Sequence, residues 1–315
     1  MPRILTQVLL RSLGLLILAF LLLNLDLVQV GRVFGQVAPG LFGAALLLNL
    51  LVIIGKSLRW RVILKAYGRR DSWRRLLTVY LAGNFLGLTT PGQAGEFAKV
   101  ALLPGGDKRL LPSVAADRLL DVLPHLIIGV LGGMLYLDFP AWSLGLLFLV
   151  LLTLLGVFLR LRRPADPTAE DPAGPAGGRL RRWLVWLVEA CRPLGRVRLA
   201  VLGPLVLAVL AVFFTYIVVL ARSLRIETDV VHLVFFVSLF SLSRILPISI
   251  MGVGTRDALA VVLFGTVGVP AEPALSFSLS ILLVDLIFLG VGFGAYQWLV
   301  SGPRRGGAAD RAAMD

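Results

Sequence analysis

The sequence predicts an all-α integral membrane protein with six full spans and two re-entrant, or short paired, helical hairpins that form an inverted repeat. The 315 residues are 58% hydrophobic and 16% charged, whereas soluble domains contain about 25% charged residues. The mean hydropathy is +0.90. Apolar stretches of about 20 residues, the length of a helix that crosses a bilayer, recur from end to end. Two further apolar stretches are interrupted near their middle.

Six of the apolar stretches have no internal break, and we assign each to a full span. They are Ser12–Leu27, Pro39–Gly55, Pro112–Leu137, Pro140–Leu159, Leu199–Leu220 and Pro273–Val300. Residues 1–300 therefore form one polytopic membrane domain, with repeat units at approximately 76–137 and 231–299. A Pro-, Gly- and Ala-rich cytoplasmic linker is predicted at approximately 160–198, and residues 301–315 are predicted to be a disordered cytoplasmic tail.

Basic residues predict the orientation of the chain. Eight Lys and Arg lie between Lys56 and Arg75, and nine Arg lie between Arg160 and Arg198. Because such residues are retained in cytoplasmic loops, both loops and both termini are predicted to be cytoplasmic, in a cell (inner) membrane. The net charge of +13 is explained by the same enrichment of Lys and Arg in the predicted cytoplasmic loops. No basic stripe interleaved with aromatic residues is present, so nucleic acid is not expected as a partner.

The first interrupted stretch is Leu76–Leu103, and each of its arms is too short to cross a bilayer. Between the arms, Thr89–Gln93 combines turn-forming residues with a helix-ending proline, Pro91. Thr90, directly before it, is a suitable cap for the returning arm. Basic residues flank both ends of the stretch, which predicts a helical hairpin that enters and leaves on the cytoplasmic side.

The second interrupted stretch, Val230–Val269, has the same plan. Its first arm ends at Pro247, glycines follow at Gly252 and Gly254, and the second arm begins near Thr255, a suitable cap. The arms are longer, so two full spans are an alternative to a re-entrant hairpin. In either case this unit opens to the outside. Opposed units of this kind are typical of transporters, which bind substrate at the repeat interface.

Nine charged residues fall within apolar segments, where they normally face a cavity, a partner or a functional site. They are Glu96, Lys99, Asp117, Arg118, Asp121, Arg244, Arg256, Asp257 and Asp285. One interpretation is structural pairing, since the pairs at 96/99 and 117/121 each share a helix face. The other is a lipid or anion site, because helix N-termini near Gly95 and Gly254 present unpaired N–H groups to a phosphate.

Metal and cofactor chemistry is not predicted. Cys191 is the single cysteine, and His125 and His232 are far apart in the sequence, without the spacing of metal ligands. We therefore expect no metal site, no cofactor and no catalytic residues.

Three motifs, PGQAGEFAK (91–99), ADRLLD (116–121) and LPISIMGVGTRDA (246–258), resemble those of the flippase-like transmembrane module of bacterial lysylphosphatidylglycerol synthases. The resemblance extends over roughly residues 13–298. It maps family motif positions onto Pro91, Gly95, Glu96, Lys99, Asp117, Arg118, Asp121, Gly252, Gly254, Arg256 and Asp257. Asp121 replaces the usual Glu, and Met251 replaces a common glycine. No aminoacyl-transferase domain follows Val300, so lysyl transfer is not expected.

The resemblance implies movement of a lipid headgroup across the bilayer, and the expected partner is a membrane lipid with a phosphate-containing headgroup. Arg118 and Arg256 would help to hold the anion. Asp117, Asp121 and Asp285 would hold a cationic group or a coupling proton. Two alternatives are an intramembrane enzyme acting on a phospholipid or polyprenyl-phosphate, and a scaffold for a lipid-modifying enzyme or glycosyltransferase partner.

Overall fold

The structure, a computed structural model, describes residues 14, 16–138, 140, 142–162, 191–197, 199–245 and 249–301. Within these ranges the regular structure is entirely helical, which confirms the all-α prediction. Most of the predicted linker, the predicted tail after Ser301, the start of the first predicted span and Pro247 lie outside the described residues.

Eleven α-helices are described in these ranges. They are α1 (Leu16–Asn24), α2 (Leu27–Gly35), α3 (Pro39–Ala66), α4 (Trp73–Leu88), α5 (Lys99–Leu102), α6 (Leu111–Tyr136), α7 (Trp142–Arg162), α8 (Leu199–Ser223), α9 (Val230–Ser243), α10 (Thr255–Gly265) and α11 (Ala271–Ser301). Short 3-10 helices occur at Pro91–Ala98, Lys108–Leu110 and Arg192–Arg196.

Several described helices are long and apolar enough to cross a membrane. By length and composition these are α3, α8, α11 and the continuous segment Lys108–Tyr136, and the bent pair α1–α2 would supply a fifth span. Large apolar side chains, including Leu23, Phe148 and Trp298, are exposed, as expected for surfaces that face lipid. The chain is therefore a multi-pass membrane protein.

The first predicted span differs from a single straight helix. α1 ends at Asn24, and α2 begins at Leu27 after a bend of 90°. Asp26 causes this break, because its carboxylate accepts hydrogen bonds from the N–H groups of Val28 (2.8 Å) and Gln29 (3.2 Å). It acts as the N-cap of α2. The first helix thus ends at Asn24, close to the predicted end of the span at Leu27.

The second span is longer than predicted. α3 does not end at Gly55 but continues to Ala66, and the chain leaves the helix at Tyr67 and Gly68, where Gly68 has a φ of +76°. Lys56 and Arg59, which the charge pattern assigned to a cytoplasmic loop, therefore lie inside a helix. Arg59 is 1% exposed.

Both predicted interruptions are present in the backbone. α4 ends at Leu88, and the following 3-10 helix contains two left-handed residues, Gly92 (φ 60°) and Gln93 (φ 57°). The returning arm is mostly 3-10, with only four α-helical residues in α5. In the second unit, Met251, Gly252 and Gly254 are all left-handed, with φ of 58°, 78° and 81°, and α10 follows.

The ends of the first interrupted segment lie together. Arg69, which precedes α4, donates a hydrogen bond from Nη2 to the carbonyl oxygen of Pro104, which follows α5, at 2.9 Å. The same guanidinium bonds to both carboxylate oxygens of Asp71 (2.7 and 2.9 Å) and holds the pKa of that carboxyl below its usual value. One side chain thus connects the residues before α4 with the residues after α5, as expected for a helical hairpin.

Candidate functional site

A cavity of about 160 Å³ is bordered by residues from both predicted repeat units. Its wall contains polar and aromatic side chains from the first break, from α3, α6, α8 and α9, and from α11. Seven of the lining residues have charged side chains: Lys56, Glu96, Arg118, Asp121, Arg244, Arg256 and Asp285. Six of these were predicted site residues. The cavity therefore brings together charges that are far apart in the sequence.

Glycines on α4 allow the first break to pack closely against that helix. A β-carbon at Gly83 would overlap the stem of Lys99, and one at Gly87 would overlap Glu96. Gly95 lies against the carbonyl oxygen of Leu86, again with no room for a β-carbon. The glycines at 83 and 87 are one helical turn apart, so they form one face along which the returning arm lies.

The N–H of Gly95 is already hydrogen-bonded within the protein. It donates to Oγ1 of Thr90 at 2.7 Å, and that hydroxyl lies 2.9 Å from the carbonyl oxygen of Leu86. Thr90 thus makes no side-chain cap hydrogen bond at the start of the returning arm, where the sequence predicted one, and it bonds farther along the arm, at Gly95. The predicted phosphate contact at this N–H competes with an existing hydrogen bond.

A buried ion-pair network joins α3 to α6. Arg59 contacts Asp117 through Nε and Oδ1 (2.8 Å) and donates from Nη2 to the Asp117 carbonyl oxygen (3.0 Å). Its Nη1 lies 2.8 Å from Oδ1 of Asp121, and Lys56 Nζ lies 2.9 Å from Oδ2 of the same residue. Asp117 and Arg59 are both 1% exposed. These carboxylates are therefore neutralised from α3, by two residues that the sequence prediction had placed in a loop.

Lys99 completes this network from the returning arm. Its ammonium lies 3.4 Å from Oε2 of Glu96 and 3.7 Å from Oδ2 of Asp117, and 4.1 Å from the centroid of the Tyr80 ring. The Tyr80 hydroxyl donates to Oδ2 of Asp117 at 3.1 Å. Lys99 is fully buried, so it holds the break against α4 and α6 and does not line the cavity.

Arg118 fixes the tip of the first break. It donates from Nη1 to the backbone carbonyl of Gln93 and from Nη2 to the side-chain oxygen of Gln93, both at 2.6 Å. Its Nη1 also lies 3.5 Å from Oε2 of Glu96. The left-handed conformation of Gln93 presents both of its oxygens to one guanidinium. Arg118 lines the cavity while two of its nitrogens are engaged in positioning the tip.

The second break has its own buried pair, Arg256 and Asp257. Arg256 Nε donates to Oγ of Ser278 (2.8 Å), and that hydroxyl donates to Oδ1 of Asp257 (2.5 Å). Asp257 Oδ2 accepts from the N–H of Gly254 at 2.8 Å. Asp257, and not Thr255, is thus the side chain that caps α10. Gly254 also lies directly against Gly14, with no room for a β-carbon.

Asp285 lies near the middle of α11, and it is loosely paired. Its Oδ2 is 3.4 Å from Nη1 of Arg244 and 3.6 Å from Nη1 of Arg256. These distances are within ion-pair range, but no hydrogen bond forms. Among the described residues, Arg244 Nε and Asp285 Oδ2 are buried atoms without a hydrogen-bond partner. This pair is the least satisfied part of the cavity wall.

Sequence reasoning missed Lys56, Arg59, Tyr80 and Gln93 as members of the site. A signal for the first two exists: Lys56, Arg59, Trp60 and Ile63 follow helical spacing, which predicts one face of a continuing helix. No sequence feature identifies Tyr80 as a partner of Asp117, because that contact depends on how α4 packs against α6.

A family model described as "Lysylphosphatidylglycerol synthase TM region" matches residues 5–292. This match extends over the cavity and both breaks. Comparisons with curated proteins and with solved structures gave no significant match.

Proposed function

The chain belongs to the family of lysylphosphatidylglycerol synthase TM regions, and from this membership we propose that it binds the phosphate-containing headgroup of a membrane lipid in the charged cavity and moves it across the bilayer. The family indicates a membrane-lipid-related function. The observation that supports the finer proposal is the cavity itself, whose wall combines charged residues from both predicted repeat units.

The presence of so many charged side chains in the cavity wall needs a physical explanation. A charged side chain in the middle of a membrane helix costs about 2.5–3.5 kcal/mol by insertion scales, and the cavity has seven charged side chains in its lining, at helix ends and breaks as well as within helices. Internal pairing accounts for most of them, but the pairing of Arg244 with Asp285 is incomplete. A lipid phosphate offers several strong acceptors to a guanidinium, and its headgroup would be shielded from the hydrocarbon by the same wall.

We further propose that the chain lies in the cell (inner) membrane with cytoplasmic termini, and that its two units form an inverted repeat with re-entrant hairpins. In such an arrangement, movement of one unit against the other exposes the central site to each side in turn. The hydrogen bond between Arg69 and Pro104 supports re-entry of the first unit.

This topology predicts which side of the membrane a labelling reagent will reach. With Cys191 replaced by serine, cysteines at Arg70 and Lys108 should be labelled from the cytoplasmic side, and a cysteine at Asp138 only from the outside. A membrane-impermeant maleimide, applied to intact cells and then to inverted vesicles, measures this. Labelling of positions 70 and 108 from opposite sides would show that the segment between them crosses the membrane.

Lipid movement is tested by reconstituting the purified chain in vesicles with a fluorescent phospholipid and following its loss from the inner leaflet by chemical quenching. Arg244→Gln should reduce the rate at least tenfold, because it removes the incompletely paired cation. Arg109→Gln is the matched control, since Arg109 is 83% exposed and pairs only loosely with Asp107, at 3.7 Å. The control should move lipid at the unmodified rate.

The same assay separates the alternatives. Equal rates in the unmodified chain and in Arg244→Gln would contradict the proposal. Chemical conversion of the lipid, detected by mass spectrometry of the vesicles, would favour an intramembrane enzyme. A scaffold would be favoured if the chain alone neither moves nor converts the lipid, and if the lipid is converted only when a lipid-modifying enzyme is co-expressed.

A further inference from the structure

A short internal repeat relates the long helices of the two predicted units. Leu123–Tyr136 of α6 has the sequence LPHLIIGVLGGMLY, and Leu283–Tyr296 of α11 has the sequence LVDLIFLGVGFGAY. Two leucines, an isoleucine, a glycine and a tyrosine recur at the same spacing in both segments. The alignment pairs Gly132 with Gly292 and, at the end of each segment, the two tyrosines. Because it uses the sequence alone, the contacts of these residues are independent evidence.

The paired glycines lie in equivalent helix contacts. The first helix of each unit packs against the long helix of the other unit, α4 against α11 and α9 against α6. Gly292 faces α4 and Gly132 faces α9, and both glycines are buried. All four helices contribute lining residues to the cavity. The two contacts, which we call the α4–α11 crossing and the α6–α9 crossing, therefore connect the units around the cavity.

Aromatic contacts at the two crossings are also equivalent. The ring centroid of Tyr296 lies 5.7 Å from that of Phe85 on α4, and the ring centroid of Tyr136 lies 5.7 Å from that of Phe235 on α9. Each tyrosine thus packs on a phenylalanine from the first helix of the other unit. This agreement between the alignment and the contacts is expected for two repeats that are related by inversion.

The crossings differ in how closely the helices approach each other. A β-carbon on Gly292 would lie 2.6 Å from the carbonyl oxygen of Leu81, which is a backbone atom of α4. On Gly132, the atoms nearest to a β-carbon all belong to the ring of Phe235. The backbones of α4 and α11 therefore touch at the first crossing, whereas a side chain separates α9 from α6 at the second.

We propose that the units move against each other at these two crossings, and that the movement exchanges their close and spaced packing. This inference rests on the proposed function and identifies the contacts that change during it. Inverted units face opposite sides of the membrane, so an exchange of their conformations reverses the side to which the central site opens. In the opposite-facing state, Gly132 contacts the backbone of α9, and the ring of Phe85 separates Gly292 from α4.

The two glycines then have opposite effects on the conformational equilibrium. A larger side chain at Gly292 prevents the close α4–α11 crossing and disfavours the state seen in the structure. A larger side chain at Gly132 prevents the close α6–α9 crossing and disfavours the opposite-facing state. Packed helices shift between discrete arrangements and deform little within each one, so a few added atoms can change the populations of the two states.

The test is the side from which a cysteine in the cavity can be labelled. Asn49→Cys, in a chain with Cys191→Ser, places the reporter on α3, which lines the cavity but belongs to neither unit. A membrane-impermeant maleimide is applied to intact cells and to inverted vesicles. Relative to the parent chain, Gly292→Val should change the ratio of outside to inside labelling about threefold or more in one direction. Gly132→Val should change it by a similar factor in the other direction.

Gly290→Val is the matched control, because Gly290 lies on α11 and a β-carbon there meets no atom within 4 Å. It should leave the labelling ratio unchanged. If a valine variant does not fold, the alanine variant at the same glycine replaces it, since a single β-carbon already fills the space at either crossing. Shifts of both glycine variants in the same direction, or no shift in either, would overturn the inference. Purely structural glycines would lower the melting temperature without moving the ratio.

The labelling result is separable from the proposed function. Both glycine variants should also slow lipid movement in vesicles at least fivefold, because a complete cycle needs both states, whereas Gly290→Val should move lipid at the unmodified rate. Lipid movement by the unmodified chain with unshifted labelling ratios would remove this inference and leave the function standing. Opposite shifts in labelling without any lipid movement would retain the moving crossings and remove the lipid function.

Discussion

Replacing Arg59 with methionine should lower the free energy of unfolding by about 3–5 kcal/mol, the usual cost of removing one partner from a buried ion pair. Arg59 is 1% exposed and contacts both Asp117 and Asp121 at 2.8 Å. Methionine fills a similar volume without charge, so the substitution isolates the electrostatic loss. The measurement is the unfolding midpoint of the purified chain in denaturing detergent.

Arg61→Met is the matched control, because Arg61 lies on the same helix but is only partly buried. It should change stability by less than about 0.5 kcal/mol. Adding Asp117→Asn to Arg59→Met should recover much of the lost stability, since no carboxylate is then left without its cation. An unchanged midpoint in Arg59→Met, or no recovery in the double variant, would show that this network does not stabilise the fold.

The stability effect bears on how the site works. Asp117 is fully enclosed by Arg59, Tyr80 and Lys99, so it is poorly placed to hold a cationic headgroup, one of the roles that the sequence suggested. Asp121 and Asp285 do line the cavity. The first unit thus has a tightly bonded network behind the wall, whereas the second leaves Arg244 and Asp285 incompletely paired. We infer that the first unit keeps the cavity wall rigid. The second unit supplies the contact, between Arg244 and Asp285, that can be exchanged for a ligand.

Much of the site was predictable from the sequence because charged residues and turn-forming residues are rare in apolar segments. Pro91 and the glycines at 92 and 252 mark the breaks, since proline ends a helix and glycine adopts left-handed conformations without strain. Six of the predicted charges line a single cavity.

Other features depend on information that a single sequence does not contain. Charged residues after an apolar stretch have the pattern of a cytoplasmic loop, so Lys56 and Arg59 were assigned to one. Only the packing of α3 against α6 shows that their partners are Asp121 and Asp117. The cap of α10 is similar: Thr255 has the residue type of a cap, but the left-handed Gly254 directs its N–H to Asp257 instead.

Arg256 provides the second large effect. The sequence suggested that it holds the lipid phosphate directly, whereas its surroundings indicate a positioning role: it is 1% exposed and bonded to Ser278, with Asp257 at 3.5 Å. Arg256→Gln should therefore lower the free energy of unfolding by about 3 kcal/mol, because Asp257 is left buried without its cation. Adding Asp257→Asn should restore a large part of this loss, since an asparagine oxygen still accepts from the Gly254 N–H.

Lipid binding distinguishes the two roles, and the measurement is made on the single and double variants together. For a positioning residue, phosphatidylglycerol binding in the double variant should return to within about threefold of the unmodified chain, along with stability. For a direct ligand, the binding free energy of the double variant should stay about 1.5–3 kcal/mol weaker than that of the unmodified chain, whether or not stability recovers. This is the contribution of a hydrogen bond to a charged group. Arg244→Gln should show the second pattern, with binding lost and stability nearly unchanged, because its present pairing with Asp285 is already incomplete. The opposite assignment, with Arg256 behaving as the ligand and Arg244 as the structural partner, would place the phosphate deeper against α10 than the cavity geometry indicates.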